Sequence, residues 1–101
     1  MNYKLYTIDE IKKRFIKVTK KYEIIEAYLF GSYARGDATK YSDIDFYIKT
    51  GELKSGWDIG GIWHETEKTM KKKIHIIYAD QMIIDKEFEE EMKKELIKIY
   101  G

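Results

Sequence analysis

The chain has 101 residues, 44% of them hydrophobic and 37% charged, a globular composition that excludes a disordered chain and predicts one domain over residues 1–101. Lys and Arg number 19 against 18 Asp and Glu, a net charge of +1, which excludes attachment to nucleic acid or lipid by bulk positive charge. Cysteine is absent, so there is no disulfide, thiolate nucleophile or cysteine-type zinc site, and without a signal-like or membrane-spanning apolar run the expected location is the cytoplasm.

Thr7 and Glu10 form a capping box, and Ile8, Ile11, Phe15, Val18 and Tyr22 recur at helical spacing, which predicts a helix from about residue 8 to 21. Its other face carries Lys12, Lys13, Lys17, Lys20 and Lys21. A polyanion site is one reading of that face, but overall neutrality favours an ordinary solvated one. Residues 24–30 (IIEAYLF) read as a buried strand that stops in a turn at Gly31. Gly31 to Ser42 reads as a polar loop feeding a second strand at Ile44–Ile48. After a connection at 50–56, Ile59, Ile62, Trp63, Thr66 and Met70 fall on one helical face, although Gly60 and Gly61 weaken its first turn by about 1 kcal/mol each. Residues 73–79 read as a third strand. Beyond Asp85, Phe88, Met92 and Leu96 keep helical spacing, while Ile97 and Ile99 alternate around Lys98, so the last five residues suit helix or strand. The alternation of helices and strands predicts an α/β (α+β) fold, a mixed sheet flanked by helices.

The stretch from Gly31 to Asp45, GSYARGDATKYSDID, carries the chemistry. Asp43 and Asp45 stand two apart at the start of a strand, so their carboxylates share one face about 6 to 7 Å apart. Two like charges this close call for a cation between them, and few hard oxygen ligands with open positions suit Mg²⁺. Gly31 has no Cβ to block an approaching ligand, and the amide and hydroxyl of Ser32 are donors suited to phosphate. Each piece alone is common: Asp43 caps turns readily and Gly-Ser is a frequent loop dipeptide. A Gly-Ser turn leaving one strand with an Asp-x-Asp entering the next is a more specific combination.

Gly31, Ser32, Ala34, Arg35, Gly36, Ala38, Ser42, Asp43, Ile44 and Asp45 resemble the signature of the minimal nucleotidyltransferases of the DNA polymerase beta superfamily. The resemblance implies binding of a nucleoside triphosphate, most naturally ATP, with Mg²⁺, and transfer of a nucleoside monophosphate to a hydroxyl. It implies that Asp43 and Asp45 are catalytic metal ligands and that Gly31 and Ser32 hold the outgoing phosphates. Arg35 would brace the loop or touch phosphate, bracing being the favoured role. Minimal members are often paired with a HEPN-domain protein as the antitoxin of a toxin–antitoxin couple, so the acceptor is expected to be held by a HEPN-type partner, by a second copy of the chain in a homo-oligomer, or not at all.

One position departs from that pattern. The family carries a third acid on a following strand, and the matching stretch Ile74–Ile77 places His75 there. Imidazole is a poorer Mg²⁺ ligand than an oxygen anion but a competent general base, so His75 is read either as a catalytic base or as a sheet-edge residue without duty. Asp80 lies five residues on and faces the opposite side of an uninterrupted strand. His64 reads as a surface residue. Tyr3, Tyr6, Trp57 and Trp63 offer an aromatic contact surface, with core packing the alternative for those in periodic segments. Two functions follow: an active nucleotidyltransferase, or a nucleotide-binding module that lost catalysis at His75 and masks its partner.

Overall fold

Thr7 opens the first helix as its capping box predicts: the Thr7 hydroxyl accepts from the Glu10 amide at 3.1 Å, and the Glu10 carboxylate accepts from the Thr7 amide at 3.0 Å. The computed structural model describes residues 3–51, 56–80 and 84–101. Its elements run α1 (Ile8–Thr19), β1 (Glu26–Phe30), α2 (Gly31–Arg35), β2 (Ile44–Lys49), α3 (Gly56–Met70), β3 (Ile74–Tyr78), α4 (Lys86–Lys93) and β4 (Ile97–Tyr100). The strands form a mixed sheet in the order β3-β2-β1-β4. Strand β1 is antiparallel to both β2 and β4, whereas β2 and β3, joined through α3, are parallel. This is the mixed sheet with flanking helices that the sequence predicts.

Strand alternation sends the side chains to two unequal layers. Ala27, Leu29, Ile44, Phe46, Ile48, Ile74, Ile76, Tyr78 and Ile99 meet Ile11, Phe15 and Val18 of α1 and Ile62 and Met70 of α3 in the main core. Phe30, Tyr47 and Ile77 face the other way, where Met92 of α4 closes a smaller cluster. The lone α4 covers less of its face than α1 and α3 cover of theirs, and the site described below lies on that less covered side. The chain before α1 is fastened to the end of α3: the Tyr6 hydroxyl donates to the Met70 carbonyl at 2.7 Å, and Arg14 of α1 donates to the Thr69 carbonyl at 2.9 Å. Both bonds satisfy carbonyls that a helix C-terminus leaves without an intrahelical partner.

Two expectations need correction, the all-loop stretch after Gly31 and the end of α1, and the tail that the sequence left open is resolved. The stretch Gly31 to Ser42 is not all loop, because its first five residues form α2. Tyr33 is buried and Ala34 packs on the core, so apolar anchoring and a left-handed Gly36 cap (φ 85°) stabilise a turn of helix inside a polar stretch. Helix α3 begins at Gly56, where the predicted connection ends, and runs through both glycines. At Gly61 a Cβ would lie 2.7 Å from Cζ of Tyr22, so the missing side chain admits that ring. Tyr22 itself lies past the end of α1, which stops at Thr19, and reaches the core from the turn. The ambiguous tail is strand β4: Ile97 to Tyr100 pair with β1, whose backbone would otherwise be an unpaired edge. Residues 52–55 of the predicted connection lie outside the described residues.

Candidate active site

Strand register brings the predicted residues together. Phe30, the last residue of β1, pairs with Asp45, and Asp45 pairs on its other side with His75 of β3. Gly31 follows Phe30 with φ 72°, a left-handed conformation that glycine adopts without strain. A Cβ at this position would collide with the Asp45 carboxylate. The bare glycine therefore lets the strand-to-helix turn touch the start of β2, putting Ser32 in the first turn of α2 beside the acid. The Ser32 side chain makes no hydrogen bond among the described residues. Asp43 immediately precedes β2, two residues from Asp45 and of the same parity.

Burial pushes the Asp45 carboxyl up to about 6. The charges of Asp43 and Glu95 push the same way, against His75 and Arg35. The His75 Nδ1 lies 3.8 Å from Asp45 Oδ1, with 22% of the Asp45 side chain exposed. The half-exposed imidazole meets two rings edge-on, Phe30 at 6.4 Å and Trp63 at 6.3 Å between centroids.

Two adjacent carboxylates, one destabilised in its charged form by burial and by its neighbour, fit a hard divalent cation, which relieves both effects. Among the described residues no group of three His, Cys, Asp or Glu could hold a metal ion, so those residues offer Asp43 and Asp45 without a third ligand of that kind. Asp80 does not supply one. Its carboxylate accepts from the Gly51 amide at 2.8 Å, beyond the far ends of β2 and β3 and on the order of 15 Å along the strand from His75.

Arg35 is half-exposed and pairs with two acids, Glu95 at 3.1 Å and Asp37 at 3.2 Å, contacts of the kind that brace the loop. His64 is exposed. Of the four aromatic residues considered for a contact surface, Tyr6 is buried and Trp63 packs on the core, whereas Tyr3 is exposed and Trp57 is 88% exposed. Two residues near the site were not singled out from sequence. Glu95, in the link between α4 and β4, accepts from the Gly31 amide at 3.0 Å. Lys72 is only 3% exposed, and its ammonium donates to the Lys40 carbonyl at 2.9 Å, tying the turn before β3 to the loop that leads to Asp43. Glu95 lies 64 residues from Gly31 in a run of mixed charge, and Lys72 lies in a run of three lysines, so neither has a local signal.

The family described as the nucleotidyltransferase domain matches residues 8–100. A Methanocaldococcus jannaschii protein, MJ0435, named as a candidate protein adenylyltransferase, is 36% identical over 70 residues, covering 69% of this chain and 75% of that one. The structure of a candidate minimal nucleotidyltransferase has a TM-score of 0.73 at 20% identity, with 91% of this chain and 95% of that one covered. A structure of a tri-AMPylated Shewanella oneidensis HEPN toxin in complex with an MNT antitoxin gives 0.67 at 12% identity, with 94% and 73% covered. At these identities the two solved structures speak to the fold. The family match across nearly all of the chain and the well-covered relative establish more: the chain belongs to the nucleotidyltransferase domain family and is a nucleotidyltransferase.

Proposed function

We propose that this nucleotidyltransferase moves AMP from ATP to a hydroxyl group on a partner protein of the HEPN toxin kind, with Mg²⁺ held by Asp43 and Asp45. The observation that carries the reading is the contact of the Asp45 carboxylate with the bare Cα of Gly31, which puts a metal-ligating acid against a turn suited to phosphate. The name of the Methanocaldococcus jannaschii relative and the AMPylated toxin beside the MNT antitoxin support adenylyl transfer to a protein.

A divalent cation bound by the two aspartates would neutralise phosphate charge and polarise the α-phosphate. Ser32 donates to the outgoing phosphates, and Gly31 keeps the approach to them open. Arg35, through its ion pairs, holds α2 in place. The acceptor hydroxyl forms a new bond to the α-phosphorus as the bond to the bridging oxygen breaks, and pyrophosphate leaves toward Ser32. The hydroxyl proton passes to His75 Nε2, because Nδ1 is the nitrogen turned toward Asp45. Catalysis in this scheme is positioning plus charge neutralisation.

His75 at the third acid's position favours a second reading, a slow enzyme whose main action is to mask its partner. Isolating the partner that co-purifies and measuring its mass after incubation with ATP and Mg²⁺ tests both. The expected result is a gain of one or more AMP units that disappears in the Asp43→Asn, Asp45→Asn protein. A faster transfer by His75→Asp in the presence of metal would make His75 a substitute for a lost ligand, and a slower one would make it the base. No transfer by either protein, with suppression of the partner retained, would leave masking alone.

A further inference from the structure

Helix α2 is five residues long, and its N-cap residue, Phe30, supplies no side-chain hydrogen bond. A helix this short does not hold its own geometry, since nucleation is costly and the first amides lack partners. The missing support comes from Glu95. Its Oε1 accepts from the amide of Gly31, the first residue of α2, at 3.0 Å. The same carboxylate accepts from Nη1 of Arg35, the last residue of α2, at 3.4 Å to Oε1 and 3.1 Å to Oε2. One side chain thus grips both ends of the helix that carries Ser32. Asp37 holds the Nε of Arg35 at 3.2 Å and completes the brace. Arg35 also explains how an acid stands beside a place meant for phosphate: its guanidinium neutralises Glu95 there.

We propose that Glu95 is a positioning residue for the triphosphate: by holding Gly31 and Arg35 together it sets the direction in which Ser32 meets the outgoing phosphates. This rests on the reading of Gly31 and Ser32 as the phosphate turn. The contribution is local, because Glu95 is partly solvent-exposed and an ion pair of this kind adds little to global stability. The opposite role for the same contacts is occlusion, in which Glu95 fills the phosphate's place and must leave before ATP enters. Grip of both helix ends by one carboxylate, with Asp37 closing the other side of Arg35, favours the brace.

Calorimetric titration of ATP and of AMP, each with Mg²⁺, into wild type, Glu95→Ala and Glu95→Gln separates these roles. Glu95→Ala is expected to bind ATP about tenfold more weakly, the scale of one charge-assisted hydrogen bond. Its affinity for AMP, which lacks the outgoing phosphates, and its thermal midpoint stay near those of wild type. Glu95→Gln keeps an acceptor oxygen for the Gly31 amide and should recover affinity to within about threefold of wild type. Glu95→Leu, which fills space but accepts nothing, carries the alanine expectation should Glu95→Ala not fold. Equal loss for ATP and AMP, or unchanged ATP binding, overturns the proposal, and tighter ATP binding by Glu95→Ala establishes occlusion instead. Failure of wild type to bind ATP would remove the phosphate turn itself, and the brace with it.

Discussion

Asp45 is the residue at which stability and chemistry pull apart. Burial lifts its carboxyl to about 6, from 3.8 where unperturbed, so the folded chain resists ionising it. The sign follows from that elevation. Asp45 leaves the metal-free fold unpenalised below about pH 4, where both states hold the proton. Stability is lost as pH rises through about 6, where the unfolded chain is already ionised. Asp45→Asn removes this penalty and is expected to stabilise the metal-free protein at pH 7.5 by about 2 kcal/mol, a gain that fades toward pH 4. Thermal unfolding at a series of pH values measures it. Mg²⁺ should raise the midpoint of wild type and leave that of Asp45→Asn unmoved. A variant no more stable than wild type at pH 7.5 would mean that the fold uses the charge structurally.

Among the elements, α1 was legible because its signals are local: a capping box and a repeating apolar face need only neighbours in sequence. The pairing of Asp43 with Asp45 was legible for the same reason, since strand parity fixes it over three residues. Helix α2 escaped because five residues carry no period, and its anchors, Tyr33 and Glu95, act through distant partners. Strand β4 was undecidable locally, as the spacing of Leu96 and the alternation of Ile97 and Ile99 compete until the free edge of β1 selects the strand. The adjacent glycines of α3 show how neighbours in sequence diverge in space. A Cβ at Gly60 meets nothing within 4 Å, whereas one at Gly61 meets the Tyr22 ring. Gly60→Ala should therefore stabilise the protein by about 0.5–1 kcal/mol. Gly61→Ala should lose that gain to the displaced ring, and denaturant midpoints of the two variants give the comparison.

At the scale of the molecule, the sheet divides labour between its faces. One face is covered by α1 and α3 and the other by α4 alone, so among the described residues the side that carries Asp45 is the less covered one. Charge differs modestly between the two: α1 carries Lys12, Lys13, Arg14 and Lys17 against Asp9 and Glu10, and α4 carries Glu87, Glu89, Glu90 and Glu91 against Lys86 and Lys93. The surplus of each helix offsets that of the other within the near-zero total. The link and strand after α4 belong to both halves of the design, because Ile99 enters the main core and Glu95 reaches the site. Ending the chain at Lys93 should cost cooperative unfolding, visible as a broadened circular-dichroism melt, by stripping β1 of its neighbour.

The 64-residue separation of Gly31 and Glu95 also orders events during synthesis. A nascent chain displays its Gly-Ser turn and both aspartates long before Glu95 leaves the ribosome. If Glu95 braces the turn, the chain gains its full grip on triphosphate only once the sheet through β4 is translated and folded. Interrupted products then carry the acids with a weakened hold on the triphosphate, and full affinity reports that synthesis has run through β4.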